Sequence, residues 1–135
     1  MKTQNIKFNE RINIYEIESE TIFKKKLVKY FKAQIDERTF NFLLPGGDTP
    51  LGFYQMLSEE EINWKNIVIS PTDERLVGNS IEKYKFTNIY QIKKHLVDKL
   101  PIKNKPTLID IAEKKNVNDI LKNDKFLNNF CAFLG

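Results

Sequence analysis

Two glycines open a turn that is suited to binding an anion. Residues 44–50 read Leu-Pro-Gly-Gly-Asp-Thr-Pro and connect an apolar run to a helical pattern. Gly46 and Gly47 let backbone N–H groups approach a ligand closely, and Thr49 adds a hydroxyl donor beside the positive end of the helix. Neither the Walker sequence nor the dinucleotide fingerprint is present. The segment predicts either a phosphate-binding loop or a strand-to-helix turn that needs glycine for its geometry alone.

A second group of charged residues follows the next apolar run. Asp73, Glu74 and Arg75 come shortly after residues 67–69, an Ile-Val-Ile run. If that run is a parallel strand, its carboxyl end is where sheets of this kind bind ligands. Arg75 is suited to bind a phosphate through paired hydrogen bonds, and Asp73 to act on a proton or orient a hydroxyl. Taken alone, the three residues are more typical of a surface loop with ion pairs.

The elements that would position these residues alternate between strands and helices. Strands are expected at residues 12–17, Phe40–Leu44, 67–69 and 129–134, and residues 107–111 are either a strand or irregular. Helices are expected after Ser19, after a cap at Asp48 or Thr49, over residues 86–100 and around residues 117–121. The alternation predicts an α/β, Rossmann-like fold with a mostly parallel sheet flanked by helices. The last strand is expected to be buried.

The composition is that of a globular protein with a mildly basic surface. The chain has 135 residues, 41% hydrophobic and 30% charged, which predicts one domain over residues 1–135. Its net charge of +4 favours anionic partners, but the lysines are interleaved with acidic residues and no arginine–aromatic alternation is present. Neither a nucleic acid nor a membrane is expected as a partner. A buried thiol at Cys131 and the lack of a signal-peptide pattern predict a cytoplasmic location.

Together, the two groups resemble the motifs of the 6-phosphogluconolactonase family. That family has a Gly-Gly-Ser-Thr-Pro type of loop after one strand and an Asp-Glu-Arg motif after the next. This chain has similar sequences at residues 46–50 and 73–75. Further positions also fit the family: Trp64, Val77, Thr87, Asn88 and residues 95–102. The resemblance extends over residues 22–135 and would span somewhat more than half of a full-length member.

The resemblance implies an activity and a set of site residues. Members hydrolyse 6-phosphoglucono-1,5-lactone to 6-phosphogluconate in the oxidative pentose phosphate pathway, with no metal or organic cofactor. It implies that four residues bind the sugar phosphate: Gly46, Gly47, Thr49 and Arg75. Asp73 would be an auxiliary catalytic residue near the sugar. The expected partner is therefore a small sugar phosphate.

Two positions depart from the family pattern and leave alternatives open. Asp48 stands where the family usually has serine, and its carboxylate would repel a phosphate, so it is expected to turn away as a helix cap. The loop, with Pro45 and residues 49–52, also resembles the related glucosamine-6-phosphate deaminases, whose second motif is Asp-Glu-Tyr. Arg75 favours the lactonase. A deaminase-like enzyme and a non-catalytic sugar-phosphate-binding module remain the alternatives.

The base that lactone hydrolysis needs is not evident in this sequence. Such a base is usually a histidine, and the chain has one, His95, which is expected to be a surface or packing residue. In the family the base lies in an Asp-Gly-His segment after a strand that resembles residues 130–135. We therefore expect a chain that is truncated on its C-terminal side, lacks the main base, and has little activity by itself.

Overall fold

The described structure is built around parallel strands and the helices that connect them. The computed structural model describes residues 4–7, 12–35, 40–78, 80–122 and 130–134. The strands are β1 (Gln4–Lys7), β2 (Asn13–Glu16), β3 (Phe40–Leu44), β4 (Ile67–Pro71), β5 (Thr107–Leu108) and β6 (Phe130–Ala132). The helices are α1 (Glu20–Gln34), α2 (Leu51–Ser58), α3 (Ile81–Tyr84), α4 (Asn88–His95) and α5 (Lys114–Leu121), with 3-10 turns at Trp64–Asn66 and Val97–Lys99.

Four of these strands form one sheet in the order β5-β4-β3-β6. All three pairings are parallel, and β3 pairs with β4 over its whole length, from Phe40 opposite Ile67 to Leu44 opposite Pro71. The β3 residues are mostly buried, as expected for a central parallel strand, because β4 and β6 pair with its two edges and α1 packs on it through Phe31. The predicted α/β fold with a mostly parallel sheet is confirmed.

Aromatic side chains hold α1 and α2 against the sheet. The Phe31 ring of α1 stacks on Phe42 of β3 with centroids 3.9 Å apart, and both side chains are fully buried. Phe53, Trp64 and Phe133 complete this cluster around Phe31. A core of rings buries a large apolar area per residue, which a chain of this size needs.

The continuous helix predicted over residues 86–100 is wrong. The chain instead forms α3, α4 and a 3-10 turn, and Phe86 lies between α3 and α4 with 64% of its surface exposed. Thr87 causes the break: its backbone is extended, and its hydroxyl accepts a hydrogen bond from the N–H of Tyr90 at 3.3 Å. A threonine in this role starts a new helix.

The outer elements differ from prediction mainly in their exposure. Strands β1 and β2 form a separate antiparallel hairpin, and the β2 side chains are exposed. Strand β6 was expected to be buried, but Phe130 is 47% exposed and Cys131 half-buried, because within the described residues β6 pairs on one side alone. Residue 129 of that prediction lies outside the described ranges. Among the described residues, no helix has the length and apolar character needed to cross a bilayer.

Candidate functional site

The sheet register brings the two sequence motifs to the same edge. Leu44 and Pro71 are direct neighbours at the carboxyl ends of β3 and β4, and the N–H of Thr72 donates to the Leu44 carbonyl at 3.0 Å. Gly46 and Asp73 each follow two residues beyond these partners. The glycine turn and the Asp73–Arg75 segment therefore lie side by side where parallel sheets bind ligands.

The two glycines of the turn are required for different reasons. Gly47 has φ +83°, in the left-handed region that favours glycine. Gly46 has an ordinary φ, but a Cβ built on it would lie 2.0 Å from Oδ1 of Asn88. A larger residue at Gly46 would therefore displace Asn88, and one at Gly47 would strain the turn.

The glycine turn carries backbone N–H groups that the described residues leave unpaired. Within the described residues, none accepts a hydrogen bond from the N–H of Gly47, Asp48 or Thr49, and all three residues are exposed. The turn leads into α2, whose aligned peptide dipoles add positive potential at this end. Exposed N–H groups at the start of a helix are the chemistry that binds phosphate oxygens.

The predicted cap of α2 is wrong in detail. Pro50 occupies the cap position, and no side chain caps the helix. Asp48 contributes its backbone carbonyl, which accepts from the N–H of Leu51 at 3.3 Å. Its exposed carboxylate is therefore not engaged as the cap that the sequence suggested. Proline fits this position because it has no N–H that would need a partner.

Tyr54 of α2 anchors Pro45, the residue that precedes the two glycines of the turn. Its hydroxyl donates a hydrogen bond to the Pro45 carbonyl, and its side chain is fully buried. Burial raises the pKa of the Tyr54 hydroxyl above its ordinary range, so the phenol remains a protonated donor. No local pattern in the sequence indicates this anchoring bond, because it joins a helix residue to a backbone carbonyl nine residues earlier.

The three charged residues of the second motif have different surroundings. Asp73 and Arg75 are exposed, and Thr72 donates its hydroxyl proton to an Asp73 carboxylate oxygen at 3.2 Å. The Glu74 carboxylate instead accepts from the backbone N–H groups of Asn88 and Ile89 at 2.6 and 2.9 Å. Asp73 and Arg75 are therefore exposed at this edge of the sheet, whereas Glu74 accepts from the first N–H groups of α4.

Asn88 contacts both motif segments. Its amide nitrogen donates to the Asp73 carbonyl at 2.9 Å, and its side chain packs on the backbone of Gly46. Asn88 is buried, which is unusual for asparagine unless it is hydrogen-bonded. Thr87 and Asn88 fit the family pattern in sequence, but no local feature assigned either residue a role.

His95 lies away from this edge of the sheet. It is the last residue of α4, seven residues after Asn88, which is a distance of about 10 Å along a helix. Its placement agrees with the prediction of a surface or packing residue. Among the described residues, no group of three or more His, Cys, Asp and Glu side chains is arranged to hold a metal ion.

One family model matches most of the chain. Residues 18–128 match the model described as glucosamine-6-phosphate isomerases/6-phosphogluconolactonase. This range contains the glycine turn, the Asp73–Arg75 segment and Asn88. Among curated proteins, none matches the chain significantly.

Solved structures share the fold of this chain at low sequence identity. A 6-phosphogluconolactonase from Shewanella baltica aligns with a TM-score of 0.63 and 19% identity, covering 77% of this chain and 48% of that one. The enzyme from Thermotoga maritima aligns with a TM-score of 0.57 and 24% identity, covering 77% and 52%. The enzyme from Leishmania guyanensis gives 0.55 and 23%, covering 70% and 37%. The chain thus spans about half of the length of the first two structures.

Proposed function

Since this chain belongs to the family of glucosamine-6-phosphate isomerases and 6-phosphogluconolactonases, we propose that it binds a sugar phosphate as part of a 6-phosphogluconolactonase. The proposed reaction is the hydrolysis of 6-phosphoglucono-1,5-lactone to 6-phosphogluconate. We propose that residues 1–135 act as one domain in this role.

One observation carries this proposal. The unpaired N–H groups of Gly47, Asp48 and Thr49 lie beside the segment that presents Arg75, because β3 and β4 end in register. A phosphate placed between them would receive backbone hydrogen bonds from one side and a guanidinium from the other. We assign phosphate binding to four residues: Gly46, Gly47, Thr49 and Arg75.

Arg75 also favours a lactonase over a deaminase. The lactone and the deaminase substrate carry the same phosphate and differ at carbons 1 and 2 of the sugar. By the resemblance described above, deaminases have tyrosine at the position of Arg75, and that position faces the ligand in the proposed site. A guanidinium offers several donors to oxygen atoms, whereas a tyrosine offers one.

The residues described here bind and orient the substrate. Lactone hydrolysis adds water to the ester carbonyl, breaks the ring C–O bond, and yields a carboxylate and a hydroxyl. Asp73 is exposed at the site, where its carboxylate can accept a hydrogen bond from a sugar hydroxyl. His95 is too far along α4 to activate water at this edge, so we propose that this chain binds the product well and hydrolyses the lactone poorly.

A cytoplasmic location suits the proposed function. The substrate class is a phosphorylated metabolite, and the one cysteine, Cys131, is a free thiol. Burial raises the pKa of the Cys131 thiol, which keeps it protonated and slow to oxidise.

The test of the proposal is the affinity for 6-phosphogluconate, measured by calorimetry. We expect Arg75→Ala to weaken binding about 10- to 100-fold, because a charge-assisted hydrogen bond contributes roughly 1.5–3 kcal/mol. Arg75→Lys should bind with intermediate affinity, because it retains the charge without the paired geometry. Lys65→Ala, which removes an exposed cation at the opposite end of β4, is the control and should bind like the wild type.

Other ligands separate the alternatives. Gluconate without a phosphate should not bind. Tighter binding of glucosamine 6-phosphate than of 6-phosphogluconate would favour the deaminase-like alternative. An Arg75→Ala variant that binds as tightly as the wild type would contradict the proposed site, and tight binding without turnover in a longer product of the same reading frame would favour a binding module.

A further inference from the structure

We propose that Asn88 and Glu74 are positioning residues that lock the glycine turn and the Asp73–Arg75 segment into one phosphate site. The proposal rests on the proposed function for the identity of the ligand. It assigns the roles of these two side chains from their contacts. Neither residue needs to touch the substrate.

The Glu74 carboxylate holds the second motif to the start of α4. It accepts three backbone hydrogen bonds: from Arg75 at 2.8 Å, Asn88 at 2.6 Å and Ile89 at 2.9 Å. Two of these donors are N–H groups in the first turn of a helix, where a negative charge is also favoured by the peptide dipoles. Because the Arg75 N–H is among the donors, the backbone of Arg75 is fixed relative to α4.

The Asn88 side chain extends this connection to the glycine turn. Its amide nitrogen donates to the Asp73 carbonyl at 2.9 Å, and its Oδ1 lies where a Cβ of Gly46 would be. Gly46 therefore permits a contact that any other residue would prevent. The Glu74 carboxylate thus joins the backbone of Arg75 to that of Asn88, and the Asn88 side chain contacts Gly46. The hydrogen bond from Asn88 to the Asp73 carbonyl is a second connection between Asn88 and the Asp73–Arg75 segment.

Such a connection matters because the proposed ligand needs both segments at once. Backbone N–H groups on one loop and a guanidinium on another bind a phosphate strongly if their separation is set before binding. If the glycine turn and the Asp73–Arg75 segment moved independently, the ligand would have to order them on binding. The entropy lost in that ordering would lower the affinity. We infer that Asn88 and Glu74 supply this ordering in the free protein.

The first experiment asks whether the two residues couple the segments without a ligand. Glu74→Gln keeps the side-chain size but removes the charge, and among the described residues the hydrogen bonds of the Glu74 carboxylate go to Arg75, Asn88 and Ile89, not to the glycine turn. We expect its ¹H–¹⁵N spectrum to show shifted Gly46 and Gly47 resonances, transmitted through Asn88. Asn66→Asp is the control, since Asn66 is exposed at the opposite end of β4 and its substitution should leave these resonances unmoved.

The second experiment is a double-mutant cycle on 6-phosphogluconate affinity. Asn88→Asp preserves the volume and replaces the amide donor with a carboxylate facing the Asp73 carbonyl. We expect it to weaken binding about tenfold in the wild type, the equivalent of one hydrogen bond, and less than about twofold in an Arg75→Ala background. In the Arg75→Ala background there is no guanidinium for Asn88 to position, so the loss of the Asn88 amide should have little further effect on affinity. A purely structural defect would weaken binding equally in both backgrounds.

The outcomes separate this inference from the proposed function. Equal losses in both backgrounds, or unmoved Gly46 and Gly47 resonances in Glu74→Gln, would overturn the positioning roles. If the wild type binds no sugar phosphate, the proposed function fails, and the spectra alone decide whether the coupling exists. Asn88→Gly with Gly46→Ala provides a further check: the double variant should fold better than Gly46→Ala alone, because the clash with the Asn88 side chain is gone.

Discussion

Neighbouring residues of the same type or charge have unlike roles in this protein. Gly46 is needed for a close contact with Asn88, whereas Gly47 is needed for its backbone conformation. Glu74 lies between two exposed charged residues, yet its carboxylate satisfies backbone donors of α4. The role of each residue is set by what packs against it, and residue type narrows the choice without deciding it.

Two buried hydroxyl groups provide a prediction at this scale. The Ser70 hydroxyl is fully buried and has no hydrogen-bond partner among the described residues, whereas the Thr87 hydroxyl donates to the Tyr84 carbonyl at 2.7 Å and caps α4. An unpaired buried hydroxyl is destabilising. We expect Ser70→Ala to raise the free energy of unfolding by about 1 kcal/mol and Thr87→Val to lower it by about 1 kcal/mol.

Urea denaturation followed by the fluorescence of Trp64, the one tryptophan, measures both effects. The two variants remove the same chemical group from buried positions, so each serves as the control for the other. A loss of more than about 1 kcal/mol in Ser70→Ala would mean that its hydroxyl has a partner after all.

At the scale of elements, apolar spacing predicted which segments form helices better than which face is buried. Apolar residues recur at helical spacing along α1, among them Phe23, Tyr30 and Phe31. Phe31 is fully buried, but Phe23 is 45% and Tyr30 55% exposed. The spacing of apolar residues defines a stripe, and the elements packed on that stripe determine how much of it is covered.

The two phenylalanines of α1 provide a prediction for this helix. Phe31→Ala removes a ring stacked on Phe42 at the centre of the core, and should cost about 3–5 kcal/mol of unfolding free energy. Phe23→Ala removes a half-exposed ring and should cost less than about 1 kcal/mol. Urea unfolding measures both. If Phe31→Ala does not fold, Phe31→Leu should still cost more than Phe23→Ala, and the reverse order would contradict this packing.

At the scale of the whole molecule, net charge and sheet topology both favour an anionic ligand at the proposed site. The chain has a net charge of +4, and the sheet order places its proposed anion site at the carboxyl ends of adjacent strands. Positive charge distributed over a surface attracts anions over distances up to the Debye length. This contribution is weak and general, in contrast to the local contacts of Arg75.

The affinity for 6-phosphogluconate should therefore depend modestly on salt. We expect it to fall about two- to fivefold between roughly 0.05 and 0.5 M NaCl, because the Debye length shortens over this range. Calorimetry at several salt concentrations measures this dependence. The same titration with single-stranded DNA should show no binding; a steep salt dependence of DNA affinity would instead revive a nucleic-acid partner.

The sequence by itself determined the order of the main elements and the family. Apolar runs bounded by glycine, proline and polar residues predicted β3 and β4 closely, since strand and turn preferences are local. The Gly-Gly and Asp-Glu-Arg motifs predicted a site at the ends of these strands. The helix break at Thr87 was missed, because the apolar spacing continues across it while the threonine cap interrupts it.

The tertiary structure decided how the motifs are joined. Asn88 makes hydrogen bonds with Glu74 and Asp73, which lie 14 and 15 positions before it in the sequence. No local backbone preference encodes such contacts. Burial and pairing at this edge depend on how α4 packs against β4 and α2, which is the sum of many weak apolar contacts across the core. A sequence motif can therefore identify Glu74 and Gly46 as candidates. Only the packing of sheet and helices shows that both residues contact Asn88.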